Sequence, residues 1–390
     1  MAPRRIAVVT ATRAEYGLLR PLLEILRADE AVQLQLVVSG THLSERFGMT
    51  VRQIEADGFD IAARVPMPVE DDSVAGITRA LAVATQGIGE AFARLSPEVV
   101  VLLGDRYEML AAAQAAMVAR LPIAHLHGGE VTEGAFDEAI RHAISKMAHW
   151  HFVAAEAFRQ RVLQLGEAPE RVWTVGATGL DNIAHIDLIP EAALSADLGL
   201  PLTRPLWLVT YHPVTLQAAD QGADMRTLLD ALLDTGGTLV VTGVNADPGS
   251  RAIREQAEAC AARHPQRMRL VESLGVRRYL SLMAIADAVV GNSSSGLIEA
   301  PAMGTPTVDI GDRQRGRPRA PSVLHCENDA AAIRAALVLV RSDEHRALAA
   351  RRQSPYGEAG AAQRIAAVLR SAPLDGILFK RFHDIGPART

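Results

Sequence analysis

Acidic and basic side chains that could transfer protons cluster in the first half of the sequence. Asp105 and Arg106 directly follow an apolar run in VVVLLGDRYEML, and Glu130 follows the next run in IAHLHGGEVTEG. In AFDEAIRHAISKMAH, Asp137 and Arg141 are four residues apart, so they share one helix face and can form an ion pair. Carboxylates beside guanidinium groups suit general acid–base chemistry on an anionic substrate. Each residue alone is equally consistent with a solvated surface pair, but several at adjacent strand ends favour a catalytic site.

Histidines accompany these acids. His212, in the tetrad TYHP, directly follows the first apolar run of the second half and could control charge on a leaving group. A lone histidine at such a point is more often structural than catalytic. His125 and His127 in IAHLHGG are predicted to lie on one face of a strand as a packed or hydrogen-bonded pair. Since no metal-ligand motif is convincing, we predict no metal and no other cofactor.

The first strand-to-helix turn, TATRAEYGLLRPLL, has one feature of a phosphate site. Arg13 lies where a strand ends and a helix begins, so its guanidinium and the free N–H groups of the helix could both bind a phosphate. The alternative is a surface ion pair with Glu15. The G-x-G-x-x-G pattern of dinucleotide binding is absent, and we therefore predict no tightly bound NAD at this turn.

A second candidate phosphate site lies in VVGNSSSGLIEAPAMGTPTVDIG. Asn292 and the serines at 293–295 offer hydroxyl and N–H groups at a predicted helix start, which suits a pyrophosphate. Glu299, about one turn further on, could accept hydrogen bonds from a ribose. The alternative is that the serines only cap the helix.

Parallel βαβ units must position all of these residues. Short apolar, β-branched runs recur, each followed by a longer helical pattern, which is typical of parallel sheets covered by helices on both faces. The runs predict strands at 6–11, 34–40, 99–105, 123–129, 151–155, 172–177, 207–213, 238–243, 268–273, 288–294 and 306–311. We predict an α/β fold of two doubly wound, Rossmann-like domains that bind ligand in a cleft between the carboxyl ends of their strands.

Length and composition suggest the domain boundaries. The chain has 390 residues, more than one ordinary core. The segment NIAHIDLIPEAALSADLGLPLTRP is rich in proline and weakly periodic, which is typical of a linker. We predict an N-terminal domain at 1–184, a linker at 185–204, a C-terminal domain at 205–355 and a helical segment at 356–390 that packs back across the domains.

Charge and cysteine content exclude several classes of function. A formal charge of -5 without a basic block gives no reason to expect a nucleic acid or an anionic membrane as partner. Cys260 and Cys326 are too few and too far apart for a disulfide framework or a zinc site. The apolar run near the N-terminus is too short for a signal peptide, and no run approaches a membrane span. We therefore expect a soluble, cytoplasmic protein.

Taken together, these motifs resemble the hydrolysing branch of the UDP-N-acetylglucosamine 2-epimerase family over nearly the whole chain. The matching segments are TATRAEYGLLRPLL, SGTHLSERFG, LLGDRYEML, HLHGGEVTEGAFDEAIRHAISKMAH, VGATGLDNI and GNSSSGLIEAPAMGTPTVDIGDRQRGR. The resemblance implies the two-domain fold of B-type glycosyltransferases and a homodimer or homotetramer. It implies that Asp105, Glu130, Asp137 and Arg141 surround the sugar. Asp137 and Glu138 are adjacent, so the sequence does not distinguish which of these two acids faces it. The residues implied to hold UDP are Arg13, Arg106, His212, Ser293, Ser294, Glu299 and Arg313, to which we add Asn245 and Asn292.

The activity implied by the resemblance is elimination of UDP from UDP-N-acetylglucosamine, or from a 2,4-diacetamido-2,4,6-trideoxy analogue, followed by hydration of the resulting glycal. The products would be UDP and a free 2-epimerised sugar for nonulosonic acid synthesis. The base is one of Asp105, Glu130 and Asp137. Three alternatives stay open: a non-hydrolysing epimerase that returns a nucleotide sugar, a glycosyltransferase on the same fold, and a non-catalytic nucleotide-sugar sensor.

Overall fold

The structure, a computed structural model, describes residues 2–133, 135–184, 186–214, 220–244 and 249–386. Within these ranges no helix is both long enough and apolar enough to cross a membrane. Compact packing divides the chain into two units. Unit 1 comprises Met1–Glu130, Asp137–Asp181 and Ala359–Thr390, and unit 2 comprises Val131–Phe136 and Asn182–Glu358.

All strands of the described residues pair in parallel. Those of unit 1 are β1 (Arg4–Thr10), β2 (Val32–Ser39), β3 (Ile61–Val65), β4 (Val99–Leu103), β5 (Ile123–Leu126), β6 (Trp150–Val153) and β7 (Val172–Thr174). Those of unit 2 are β8 (Leu206–Thr210), β9 (Thr238–Thr242), β10 (Met268–Val271), β11 (Ala288–Gly291), β12 (Thr307–Ile310) and β13 (Val323–Cys326).

Helices connect successive strands, and the last three helices follow β13. The helices are α1 (Arg13–Ala28), α2 (Val51–Ala56), α3 (Val74–Leu95), α4 (Tyr107–Val118), α5 (Asp137–Met147), α6 (Glu156–Gln164), α7 (Gly179–Ala184), α8 (Glu191–Leu198), α9 (Gln221–Leu233), α10 (Ser250–Arg263), α11 (Gly275–Ile285), α12 (Glu299–Met303), α13 (Ala330–Leu339), α14 (Asp343–Ala350) and α15 (Ala361–Ser371). Parallel strands need such crossovers because no tight turn can join them.

Both sheets are doubly wound. The strand order is β3-β2-β1-β4-β5-β6-β7 in unit 1 and β10-β9-β8-β11-β12-β13 in unit 2. In each sheet the first strand in the chain lies beside the fourth, and the strand order reverses between these two strands. Ligands of open α/β sheets bind at this switch point. The switch points lie between β1 and β4 in unit 1 and between β8 and β11 in unit 2. The predicted α/β class with two Rossmann-like domains is confirmed.

The central strands are buried on both faces, which explains their continuous apolar runs. β4 is buried at every position, and so is β8. In unit 1 one face of the sheet packs on α1 and α15, through residues such as Leu19 and Ile365. In unit 2 α8 and α11 contribute to the core on one face, through residues such as Leu194 and Leu282.

Each of the predicted strands is present, and two further strands were missed. β3 and β13 each lie at one end of their sheet, and they carry polar side chains, such as Arg64 and His325, within the strand. An outer strand is covered less completely than a central one, so its apolar run is broken. The segment 185–204 holds α8, whose Leu194 and Leu198 are buried in unit 2. α15 packs on α1, within unit 1.

Candidate active site

The carboxyl edge of the unit 1 sheet carries the predicted catalytic residues other than His212, at or next to its switch point. Arg13 begins α1 directly after β1, and Asp105 follows β4 by two residues. Glu130 lies in the turn after β5, and Arg141 projects from α5. Since β1, β4 and β5 are neighbours in the sheet, the topology brings these segments to one edge.

Arg141 is the centre of this cluster. Its side chain is only 1% exposed, and its Nε donates to Asp105 Oδ2 at 3.0 Å, with Nη2 donating to the same oxygen. Nη1 donates to the Glu130 carbonyl at 2.8 Å and to Glu138 Oε2 at 2.5 Å. One guanidinium therefore ties together groups from β4, β5 and α5. Of the adjacent acids Asp137 and Glu138, which the sequence could not distinguish, Glu138 makes this contact with Arg141.

The charge of Arg141 is secured by these partners. Burial acts to lower its pKa, but Asp105, Glu130 and Glu138 together raise the pKa above its usual range. Asp105 and Glu138 keep about a quarter of their side chains exposed, at 26% and 28%. The cluster thus consists of partly accessible carboxylates bound to a buried, positively charged guanidinium group. This arrangement suits proton transfer next to an anionic substrate.

His125 fixes the turn that carries Asp105. It is fully buried, and its Nε2 lies 2.7 Å from the Gly104 carbonyl while Nδ1 lies 3.1 Å from Ser145 Oγ. A carbonyl only accepts, so Nε2 carries the proton and donates. Burial lowers the pKa of His125 to about 3, which keeps the ring neutral. His125 therefore has a structural role: it holds Gly104, the residue that precedes Asp105.

His127 does not share a strand face with His125, so that prediction is wrong. β5 ends at Leu126, and His127 has a φ of 63°, in the left-handed region. The ring instead lies in the turn, with Nδ1 2.6 Å from Glu130 Oε1. Gly129 follows with a φ of 73°, and a Cβ there would lie 2.4 Å from the Phe158 carbonyl. The turn therefore requires glycine at position 129. The turn places the His127 ring next to Glu130.

Glu15 occupies the turn beside Arg13. Its Oε2 accepts from the backbone N–H groups of Ala11 and Thr12 at 2.8 and 3.1 Å, and the Thr12 hydroxyl accepts from Glu15 N in return. This capping box starts α1. Glu15 is buried, so the surface pair that was the alternative for Arg13 is not what this turn contains.

Arg106 lies next to a second buried acid. Its Nε and Nη2 donate to the two oxygens of Glu108 at 3.2 Å each. Burial, and secondly the charge of Glu108, raise the pKa of Glu15 to about 8, while Arg106 lowers it. The edge after β1 and β4 thus contains two arginines and two buried carboxyl groups, and the pKa of one of these, Glu15, is raised.

In unit 2, Asn292 links the segments that follow β8 and β11 at the switch point. Asn292 Oδ1 accepts from His212 N at 2.7 Å, and its Nδ2 donates to the His212 carbonyl at 2.8 Å. Arg313 Nη1 and Gln314 Nε2 donate to the Asn292 carbonyl at 3.1 and 2.8 Å. Gly291 precedes it with a φ of 134°, where a Cβ would lie 2.0 Å from the Thr210 carbonyl. The predicted residues His212, Asn292 and Arg313 therefore form one connected group.

The serine run forms a turn rather than the helix start that the sequence predicted. Ser294–Gly296 is a single 3₁₀ turn, which Ser293 caps by accepting from Ser295 N at 3.4 Å. The α-helix begins only at Glu299 and ends at Met303. Pro301 and the close approach of Gly296 to Thr307, whose hydroxyl donates to the Gly296 carbonyl at 2.7 Å, account for the short turn. Helix-dipole binding by a long helix at the serines is therefore excluded.

Two residues with structural roles were missed from the sequence. Gln314 belongs to the Asn292 group. Asp181, outside both groups, accepts from the backbone N–H groups of Gly360, Ala361 and Ala362 at the start of α15. Both lie inside quoted motifs, and a tertiary partner many residues away leaves no periodic signal. Asn245, the other predicted binding residue, lies outside the described residues.

Comparisons with known proteins follow the same motifs. Residues 24–370 match the family described as UDP-N-acetylglucosamine 2-epimerase. The chain is 40% identical to the GDP/UDP-N,N'-diacetylbacillosamine 2-epimerase (hydrolyzing) of Campylobacter jejuni, over 84% of this chain and 85% of that protein. It is 37% identical to the UDP-N,N'-diacetylbacillosamine 2-epimerase (hydrolyzing) of Legionella pneumophila, over 82% and 84%.

A solved structure shares the fold. The crystal structure of UDP-GlcNAc 2-epimerase from Neisseria meningitidis bound to UDP-GlcNAc matches with a TM-score of 0.77, covering 94% of this chain and 99% of that one. At 17% identity the match establishes similarity of fold.

Proposed function

The chain belongs to the UDP-N-acetylglucosamine 2-epimerase family, and from this premise we propose which nucleotide sugar it consumes and how its residues divide the reaction. It is a hydrolysing 2-epimerase that acts on a nucleotide sugar. The reaction releases the nucleoside diphosphate and a free sugar whose configuration at carbon 2 is inverted.

The proposed substrate is UDP-N,N'-diacetylbacillosamine, which carries acetamido groups on carbons 2 and 4. The observation that supports it is the identity of 40% and 37% with two hydrolysing enzymes named for this sugar, each aligned over more than four fifths of the chain. UDP-N-acetylglucosamine, our first expectation from the sequence, becomes the second candidate. The product would serve nonulosonic acid synthesis of the legionaminic type, in the cytoplasm, and we expect a homo-oligomer.

The unit 1 edge is proposed to act on the sugar. A carboxylate removes the proton from carbon 2 while the bond between carbon 1 and the UDP oxygen breaks, so that a carbon 1–carbon 2 double bond forms. A proton is then delivered to the opposite face of carbon 2, and water adds to carbon 1. Two acid–base groups are needed. Asp105 and Glu138 bind Arg141 through their carboxylates, and Glu130 binds it through its backbone carbonyl. Asp137 begins the same helix, four residues before Arg141. Arg141 keeps this set anchored throughout.

The nucleotide is proposed to bind through the second group of residues. The carbon 2 proton is weakly acidic, so stabilising the departing diphosphate is the largest catalytic requirement. His212, Arg313 and the serines at 293 and 294, all in unit 2, are the proposed phosphate contacts. The phosphate-binding roles implied for Arg13 and Arg106, in unit 1, stay predictions. Glu299 and Asn245 are proposed to bind the nucleoside.

The test is a product assay with isotopic labels. Purified protein is given UDP-N,N'-diacetylbacillosamine, its GDP counterpart or UDP-N-acetylglucosamine in D₂O and, separately, in H₂¹⁸O. We expect free UDP, deuterium at carbon 2 of the free sugar, and ¹⁸O in the sugar rather than in UDP. A higher kcat/KM for UDP-N-acetylglucosamine would overturn the proposed substrate. An epimer still joined to UDP would indicate the non-hydrolysing reaction.

A further inference from the structure

His127 makes contacts on both of its ring nitrogens. Nδ1 lies 2.6 Å from Glu130 Oε1. On the other side of the ring, the Thr178 backbone N–H donates to Nε2 at 3.3 Å, and the Thr178 hydroxyl lies 3.0 Å from the same nitrogen. The side chains of His127 and Glu130 are 11% and 5% exposed. The ring is therefore clamped between a candidate catalytic carboxylate and the start of α7.

These contacts fix the tautomer. A nitrogen that accepts a backbone N–H carries no proton of its own, so the proton of the neutral ring is on Nδ1. Nδ1–H then donates to the Glu130 carboxylate. A donated hydrogen bond holds the orientation of a carboxylate. Glu130 is thus held by His127 through its side chain and by Arg141 through its backbone carbonyl.

The backbone is strained to achieve this contact. His127 has a φ of 63°, a conformation that costs an L-residue with a large side chain roughly 1 kcal/mol or more. Glycine would adopt it more readily. Strain of this kind persists where the surrounding structure requires the particular side chain.

From these observations the geometry points to His127 as a positioning residue for the epimerase reaction, acting through the hydrogen bond from its Nδ1–H to Glu130. This inference rests on the proposed role of Glu130 in proton transfer. It differs from the role of His125, which is buried and bonded to backbone and Ser145. The two histidines of the HLH motif therefore have separate functions.

Substitutions at 127 can separate the hydrogen bond from the backbone. H127G removes the donor and relieves the strained φ, which offsets part of the packing and hydrogen bonding lost with the ring. H127N also tolerates this φ, and its Nδ2 lies close to the position of the histidine Nδ1, so it retains the donor. We expect H127G to lower kcat about 10- to 100-fold with KM changed less than about threefold, and H127N to recover most of that loss.

A double-mutant cycle tests the route of the effect. In the E130Q background, H127G should cost no further activity, because the group through which His127 acts is already altered. Equal losses in both backgrounds, unchanged kcat in H127G, or no recovery in H127N would each overturn the inference. The thermal midpoint of each variant checks folding.

A second measurement does not depend on turnover. ¹⁵N chemical shifts of the His127 ring in the unliganded protein should report the Nδ1–H tautomer. The Nε2–H tautomer would overturn the positioning role even if the enzyme is active. If the tautomer is as expected but the wild type releases no UDP from either sugar, the proposed function fails instead.

Discussion

Asn292 and His212 are joined by two hydrogen bonds, the His212 N–H to Asn292 Oδ1 at 2.7 Å and Asn292 Nδ2 to the His212 carbonyl at 2.8 Å. The Asn292 side chain therefore replaces the backbone hydrogen bonds that β8 and β11 would form with each other if these strands were longer. Both residues are buried, Asn292 to 1% exposure. This pair sets where His212 lies at the switch point of unit 2.

Replacing Asn292 by alanine should therefore affect both stability and nucleotide binding. The buried N–H and C=O of His212 would lose their partners, at a cost of about 1–3 kcal/mol for each group. We expect a loss of roughly 2–4 kcal/mol in the free energy of unfolding, measured in guanidinium chloride, and a KM raised about tenfold or more. N328A is the matched control, because Asn328 is only half-buried and donates to the Tyr211 hydroxyl at 3.0 Å. Equal effects of the two substitutions would contradict this role of Asn292.

Arg141 offers a second test, because it binds Asp105, Glu138 and the Glu130 carbonyl with a single planar group. The ammonium of lysine cannot reach all three acceptors in these directions. R141K should lower kcat/KM about 100-fold or more and destabilise the protein by roughly 3 kcal/mol, since a buried charge set loses its partner. Steady-state UDP release and thermal unfolding measure the two effects.

The control for Arg141 is an arginine that pairs on the surface. Arg64 of unit 1 donates to Glu55 at 2.5 Å, but both side chains are nearly half exposed. R64K should leave kcat/KM near the wild-type value and change the free energy of unfolding by no more than about 0.5 kcal/mol. Near-normal activity in R141K would remove Arg141 from the proposed catalytic group.

The sequence predicted this site as far as residue position within a βα unit determines it. Asp105, Arg106 and Glu130 follow buried strands, and the residue after a buried strand must lie at the sheet edge. Side-chain partners are different, because they depend on packing between distant segments. That Arg141 turns toward Asp105, 36 residues earlier, has no signature in either segment. The left-handed φ of His127 is likewise set by the turn, which is why its position was predicted wrongly.

Asp181 shows the same limit and leads to a stability prediction. It lies in the quoted motif VGATGLDNI, yet its function is to accept from the first N–H groups of α15, including Ala361 N at 3.0 Å and Ala362 N at 2.6 Å. Charged acceptors at a helix start contribute about 1.5–3 kcal/mol when buried. D181A should therefore lower the free energy of unfolding by roughly that amount and speed amide exchange in 361–371.

The matched control for Asp181 is Asp329. It caps α13 by accepting from Ala331 N and Ala332 N at 2.9 and 3.0 Å, but these contacts are local and exposed. D329A should cost only about 1 kcal/mol. Unchanged exchange in α15 of D181A would show that packing on α1 alone holds this helix.

Glu15 leads to a prediction about pH. Burial, then the charge of Glu108, raise its pKa from 4.5 to about 8 in the folded protein. Between these two values the unfolded chain has lost the proton while the folded chain retains it. The unfolded state therefore binds fewer protons, and the free energy of unfolding from this group falls as pH rises through the window, by about 1 kcal/mol per pH unit. Above about pH 8 the contribution no longer changes.

E15Q should remove this slope, because glutamine mimics the neutral acid and can still accept from Ala11 and Thr12. Burial lowers the pKa of His42 and His125 to about 3, which makes stability rise with pH up to about 6.5 and opposes the effect of Glu15. The informative quantity is therefore the difference in unfolding free energy between E15Q and the wild type at pH 5, 6, 7 and 8. It should shift in favour of E15Q with each step. The control is E24Q, because Glu24 forms an exposed ion pair with Arg20. The unfolding free energy of E24Q should follow the same pH dependence as that of the wild type. A constant difference for E15Q would mean that Glu15 is ionised in the folded protein.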